Sequence, residues 1–168
     1  MAEDRATLVW LAQLAALELH PSLALAAAPD RPTAVVFDLD PGAPATIVAC
    51  CEVALLLRAM LEGIGLRAIA KTSGSKGLQV YVPLNLPEPT FDGTKAFART
   101  VAEVLQAGRP DLVVARQAKR LREGRVLIDW YQNDRAKTTV GVYSLRARDR
   151  PTVSTPVTWE EVDAGAGG

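Results

Sequence analysis

Four short runs rich in β-branched and aromatic residues are set between long helical stretches, with Pro or Gly near most boundaries, and this order leaves few topologies open. Thr33–Phe37, Leu66–Lys71, Leu78–Val82 and Val126–Tyr131 are expected strands. Ala45–Gly63 is apolar at helical spacing and closes on Gly63 and Gly65, and a second helix, capped by Asp92 or Thr94, is expected to reach Ala107. A further amphipathic helix is expected over 5–19, with Leu8, Leu11, Leu14, Ala15 and Leu17 on one side and Pro21 beyond its end. The order βαββαβ defines an α+β, ferredoxin-like sheet, mostly antiparallel, in which the first strand lies between the third and the fourth.

A length of 168 residues with 49% hydrophobic side chains suits one domain, assigned to 1–163, with 164–168 as a flexible glycine-rich tail. The 19 basic and 19 acidic side chains cancel, so net charge neither supports nor excludes a polyanionic partner. Cys50 and Cys51 are adjacent, which suits neither a structural disulfide nor a zinc site, and they read as buried thiols of a cytoplasmic protein. The apolar stretch Leu8–Ala28 is broken by Gln13, Glu18, His20 and Pro21 and has no basic leader, so neither export nor membrane insertion is expected.

The chemistry concentrates at strand ends. In Phe37-Asp-Leu-Asp-Pro-Gly42 the two acids are i and i+2, so a strand presents both carboxylates to one face. Hard oxygen ligands of this kind suit magnesium or manganese. The same five residues Asp-Leu-Asp-Pro-Gly also read as a simple turn. Asp129, an acid within the apolar run Val126–Trp130, tips the balance toward a three-carboxylate site, because a buried acid needs a partner or a metal. Ser73-Gly-Ser-Lys-Gly77 carries two hydroxyls, an ammonium and flexible N–H groups able to cradle a triphosphate, although it lacks Walker A spacing and by itself reads first as a glycine-rich hairpin turn. His20 is the sole histidine, either a phosphate donor or a structural helix-end residue. The basic set Arg116, Lys119, Arg120, Arg122, Arg125, Arg135, Lys137, Arg146, Arg148 and Arg150 is dense enough to contact a DNA backbone, or is a solvated face, and Trp130 and Tyr131 stack on bases or belong to the core.

Taken together, these motifs resemble the polymerase/primase domain of bacterial ATP-dependent DNA ligase D, of the archaeo-eukaryotic primase superfamily. The resemblance runs from Leu8-Val-Trp-Leu-Ala12 and Glu18-Leu-His-Pro21 through Val36–Gly42, Lys71–Leu78, Ile128–Asn133 and Lys137-Thr-Thr139 to Tyr143–Ala147 and Val153–Glu161. It implies an RRM-like catalytic core and a nucleotidyltransferase that adds NTPs or dNTPs to DNA ends or gaps in end joining, alongside Ku and a DNA ligase. It implies a two-metal site of Mn2+ or Mg2+ on Asp38, Asp40 and Asp129, with His20, Ser73, Lys76, Gln79 and Arg146 on the nucleotide. Gln79 departs from the family pattern, where a histidine is common, and implies weaker phosphate binding there because glutamine cannot become cationic. The family domain also has on the order of a hundred residues ahead of Leu8, an ordinary fraction of a domain. Their lack implies a separately encoded N-terminal segment or a dimer, or else a weakly active remnant that binds nucleotide or DNA without turnover.

Overall fold

A computed structural model describes residues 4–168. Its strands are β1 (Ala34–Pro41), β2 (Ile69–Thr72), β3 (Leu78–Pro83), β4 (Val113–Val114), β5 (Val126–Asp129), β6 (Leu145–Arg146), β7 (Thr152–Val153) and β8 (Pro156–Val157). Its helices are α1 (Arg5–Gln13), α2 (Ile47–Gly63), α3 (Phe91–Gly108) and α4 (Trp159–Ala166). The main sheet has the order β4-β5-β1-β3-β2-β8, antiparallel except where β4 joins β5, while β6 and β7 form a separate ribbon. The four expected strands thus form the ferredoxin-like order β5-β1-β3-β2, with β1 between β3 and β5.

Alternation along β1 separates two environments. Val35, Phe37 and Leu39 point into the main core, where they join Val53, Ala54 and Leu57 of α2 and Ala98 and Val101 of α3. Val36, Asp38 and Asp40 point to the other face, and Val36 packs there with Leu23 and Phe91. Helix starts carry side-chain caps: Thr46 accepts from Val48 N–H, Thr90 from Gly93 N–H, and Thr158 forms a capping box with Glu161. The cap of α3 is therefore Thr90, ahead of Asp92 and Thr94.

Several expectations change. β1 continues through Asp38 and Asp40 to Pro41, so both acids lie within a paired strand and not in a turn beyond it. α1 stops at Gln13 and the chain passes through a left-handed Ala15, φ 51°, because α1 buries none of its side chains and a helix without a packed face has little to extend it. Val126–Tyr131 gives a strand only as far as Asp129, after which Trp130–Asn133 turn into a 3-10 helix capped by the Asp129 carboxylate. The short β4 and β8 extend both sheet edges, and α4 runs to Ala166, into the residues assigned to the tail. Both cysteines are free and buried, and burial, followed by the neighbouring Cys51, pushes the Cys50 thiol up to about 12. No helix among the described residues is long and apolar enough to cross a membrane.

Candidate active site

Strand register builds the site's floor. Asp38 stands opposite Asp129 on one side and Gln79 on the other, and Gln79 in turn stands opposite Lys71. Directly opposed residues share a face, so Asp129, Asp38, Gln79 and Lys71 form one row across four strands, with Asp40 a further step along β1. Crowding of acids has the expected electrical result. Burial, then the charge of Asp40, raises the Asp38 carboxyl to about 7, against the pull of the Gln79 amide. Burial and Asp129 also raise Asp40, opposed by Arg122 and Lys76.

Each member of the row is held by specific bonds. The Gln79 amide donates to Asp38 Oδ1 at 3.1 Å and to Thr139 Oγ1 at 3.0 Å, while its carbonyl accepts from Tyr81 OH at 3.2 Å. Its polar atoms are thus engaged within the protein, and it orients Asp38. Asp129 Oδ1 accepts from Gln117 Nε2 at 2.7 Å and from Tyr131 N–H at 3.0 Å, and Gln117 is itself bonded by Arg122. Asn133, fully buried, continues the sheet where β5 has ended, accepting from Val36 N–H at 2.8 Å and donating to Val36 C=O at 2.7 Å.

The opposite wall comes from loops. Ser73 Oγ accepts from the N–H groups of Ser75 and Gly77, both at 3.2 Å, so two of the turn's donors point inward and not into the cleft. A Cβ at Gly77 would stand 1.8 Å from Leu39 C=O, which makes glycine a requirement of the turn's seat on β1. His20 Nε2 meets Glu18 Oε2 at 2.9 Å, and Glu18 Oε1 accepts from Ala147 N–H at 2.9 Å and lies 3.4 Å from Arg146 Nε. Hydrogen bonds from His20 and the Ala147 amide hold the Glu18 carboxyl below its usual range. Arg148 bonds Ser75 Oγ, tying the same arm to the turn.

A cleft of about 250 Å³ gathers six of the expected residues, His20, Asp38, Asp40, Ser73, Gln79 and Arg146. It does not include Asp129, which turns to Gln117, or Lys76, which is exposed and acts through its charge near Asp40. The oxygen donors suit a hard divalent cation, and the upward shifts of Asp38 and Asp40 mark a place where positive charge is favoured. Among the described residues, however, no three such side chains already stand in a metal-holding group. A larger, apolar cleft of about 850 Å³ lies toward the start of β1, lined by Val35, Leu66, Val82, Leu84 and Phe97, and holds no cluster of acids. The basic set divides as well: Arg122 bonds Gln117, Arg135 pairs with Asp30, and Arg116, Lys119 and Arg120 are exposed. Trp130 is core, stacked on Tyr131 at 4.0 Å, with Nε1 donating to Ala115 C=O.

Glu18, Lys71, Gln117 and Asn133 have structural parts that sequence reading did not assign. The only available signal was their place inside motifs such as Glu18-Leu-His-Pro21 and Lys71-Thr-Ser-Gly74, since spacing cannot show which long polar side chain turns inward.

Comparison with known proteins is consistent along the whole chain. Residues 1–167 match the family model for the LigD primase-polymerase domain. The multifunctional non-homologous end joining protein LigD of Mycolicibacterium smegmatis is 46% identical over 160 residues, covering 94% of this chain and 21% of the relative. LigD of Mycobacterium tuberculosis is 44% identical over 169 residues, covering 95% and 22%. The chain therefore spans about a fifth of the length of these curated relatives. The polymerase domain of M. tuberculosis ligase D in complex with DNA superimposes with a TM-score of 0.88 at 42% identity, covering 95% of this chain and 58% of that one.

Proposed function

Because this chain belongs to the LigD primase-polymerase domain family, we propose that it is the catalytic part of a nucleotidyltransferase that adds NTPs or dNTPs to DNA ends or gaps during non-homologous end joining, with Ku and a DNA ligase as partners. The observation that carries this reading is the register placing Asp38 opposite Asp129, with Asp40 two residues along the same face. Asp38 and Asp40 would hold Mn2+ or Mg2+ in the cleft, and Asp129, bonded to Gln117 beside them, would complete the set on turning in. Such ions offset the charge that develops on the attacking and leaving oxygens of phosphoryl transfer. His20, Ser73, Lys76 and Arg146 bind and orient the triphosphate from the loop side, while Gln79 keeps Asp38 turned into the cleft. The 3′-hydroxyl of a DNA end then attacks the α-phosphate, a phosphodiester bond forms, and pyrophosphate leaves.

A second reading, nucleotide or DNA-end binding without turnover, draws on α1. Leu8, Val9, Trp10 and Leu14 are each more than half exposed, an apolar surface that a working polymerase domain would be expected to cover. One assay separates the two: manganese, labelled NTP and a gapped or 3′-overhang DNA. Incorporation should fall by about three orders of magnitude in Asp38→Ala and Asp40→Ala, since several kcal/mol of charge stabilisation is lost. Incorporation that survives both substitutions overturns the mechanism, and manganese-dependent NTP binding without incorporation favours the second reading.

A further inference from the structure

Lys71 ends the row that begins at Asp129, yet it does not line the cleft. It is 4% exposed, and among the described residues it forms no ion pair. A buried ammonium without a paired charge is costly, so the bond it does make calls for a reason. Nζ donates to Ser154 Oγ at 2.6 Å, and Ser154 Oγ donates onward to Thr72 C=O at 2.7 Å. Ser154 in turn organises the arm that crosses the cleft: its N–H donates to Ser144 C=O at 3.0 Å and its C=O accepts from Tyr143 N–H at 2.7 Å. Ser144 Oγ accepts from Leu19 N–H at 2.8 Å. A continuous line of bonds thus joins Lys71 to Leu19, the residue before His20, and passes two residues from Arg146.

The arm also sits directly on the glycine-rich turn. A Cβ at Gly74 would stand 2.8 Å from Arg146 Cγ and 2.9 Å from Ser154 N, and Gly74 has φ +68°. We propose that Lys71 is a positioning residue: through Ser154 it clamps the 143–154 arm against the Ser73–Gly77 turn, and so holds Arg146 and His20 as the phosphate-binding wall of the cleft. The clamp itself is a property of the fold, and its consequence for nucleotides rests on the proposed function.

The test has two readouts. In nucleotide-free protein, Lys71→Met and Ser154→Ala should each speed hydrogen exchange at the Tyr143 and Ser154 amides by about tenfold or more, leaving Phe37 and Leu39 of β1 unchanged. With manganese and ATP, each substitution should weaken ATP binding about tenfold, the double variant should be no weaker than either alone, and Lys71→Arg should recover part of the loss. Unchanged exchange in both variants, or losses that add in the double variant, overturns the clamp. If Lys71→Met fails to fold, Ser154→Ala carries the same expected and opposing results. Faster exchange in a protein whose wild type does not bind ATP supports the clamp while removing the nucleotide reading of the site.

Discussion

The two walls of the cleft are built by different physics. The acid-bearing wall belongs to β1, paired with β3 and β5, and its register is set by backbone pairing and by the buried side chains behind it. The opposite wall belongs to loops, which are held by side-chain bonds such as His20–Glu18 and, from β2, Lys71–Ser154. Acids fixed by strand pairing beside a wall held by side-chain bonds suit the proposed function, in which cations are held in fixed positions and a substrate is admitted. The difference also says where mutations should be felt: in stability on the first wall, in ligand affinity on the second.

Removing the backing of the strand wall is the harshest way to break the comparison. Phe37 is fully buried, and Phe37→Ala should cost about 3–5 kcal/mol in urea unfolding, with loss of the site as a consequence. The acids come next. Asp38 has a carboxyl raised from 3.8 to about 7, so its protonated form belongs to the folded state. Its contribution is full below 3.8 and is lost as pH rises through about 7. In metal-free protein, Asp38→Asn should therefore flatten the decline in stability across this window and add about 2–4 kcal/mol at pH 8, read from urea midpoints. Asn133→Ala, which strands the Val36 N–H and C=O, should cost about 2 kcal/mol by the same measurement.

The smallest stability effect is expected on the loop wall. Glu18 is a half-buried carboxylate, and Glu18→Ala should move the urea midpoint less than Asn133→Ala does while weakening ATP binding by roughly tenfold, because His20 and Arg146 lose their shared partner. A large loss of stability in Glu18→Ala, or none in Asn133→Ala, would erase the distinction between the two walls.

Much of the strand wall was legible in the chain itself. Thr33–Phe37 is β-branched and apolar, Asp38 and Asp40 stand at i and i+2, and an acid interrupts Val126–Trp130; topology then needs only the ferredoxin-like order to bring them together. Local pattern failed where no local pattern exists. Leu8, Leu11 and Leu14 have helical spacing, yet α1 finds no packed face and ends early. β4 and β8 are two residues each, too short for alternation to declare them.

What the sequence determined by itself was therefore the order of the four core strands with the helices between them, and the shared face of Asp38 and Asp40, because both follow from short-range periodicity. Only the tertiary structure decided that Gln79 would spend its amide on Asp38 and Thr139, that Asp129 would turn to Gln117, and that Lys71 would be buried against Ser154. Long polar side chains have many rotamers, and which one is kept depends on partners that are 12 residues away in the chain for Asp129 and Gln117, and 83 for Lys71 and Ser154.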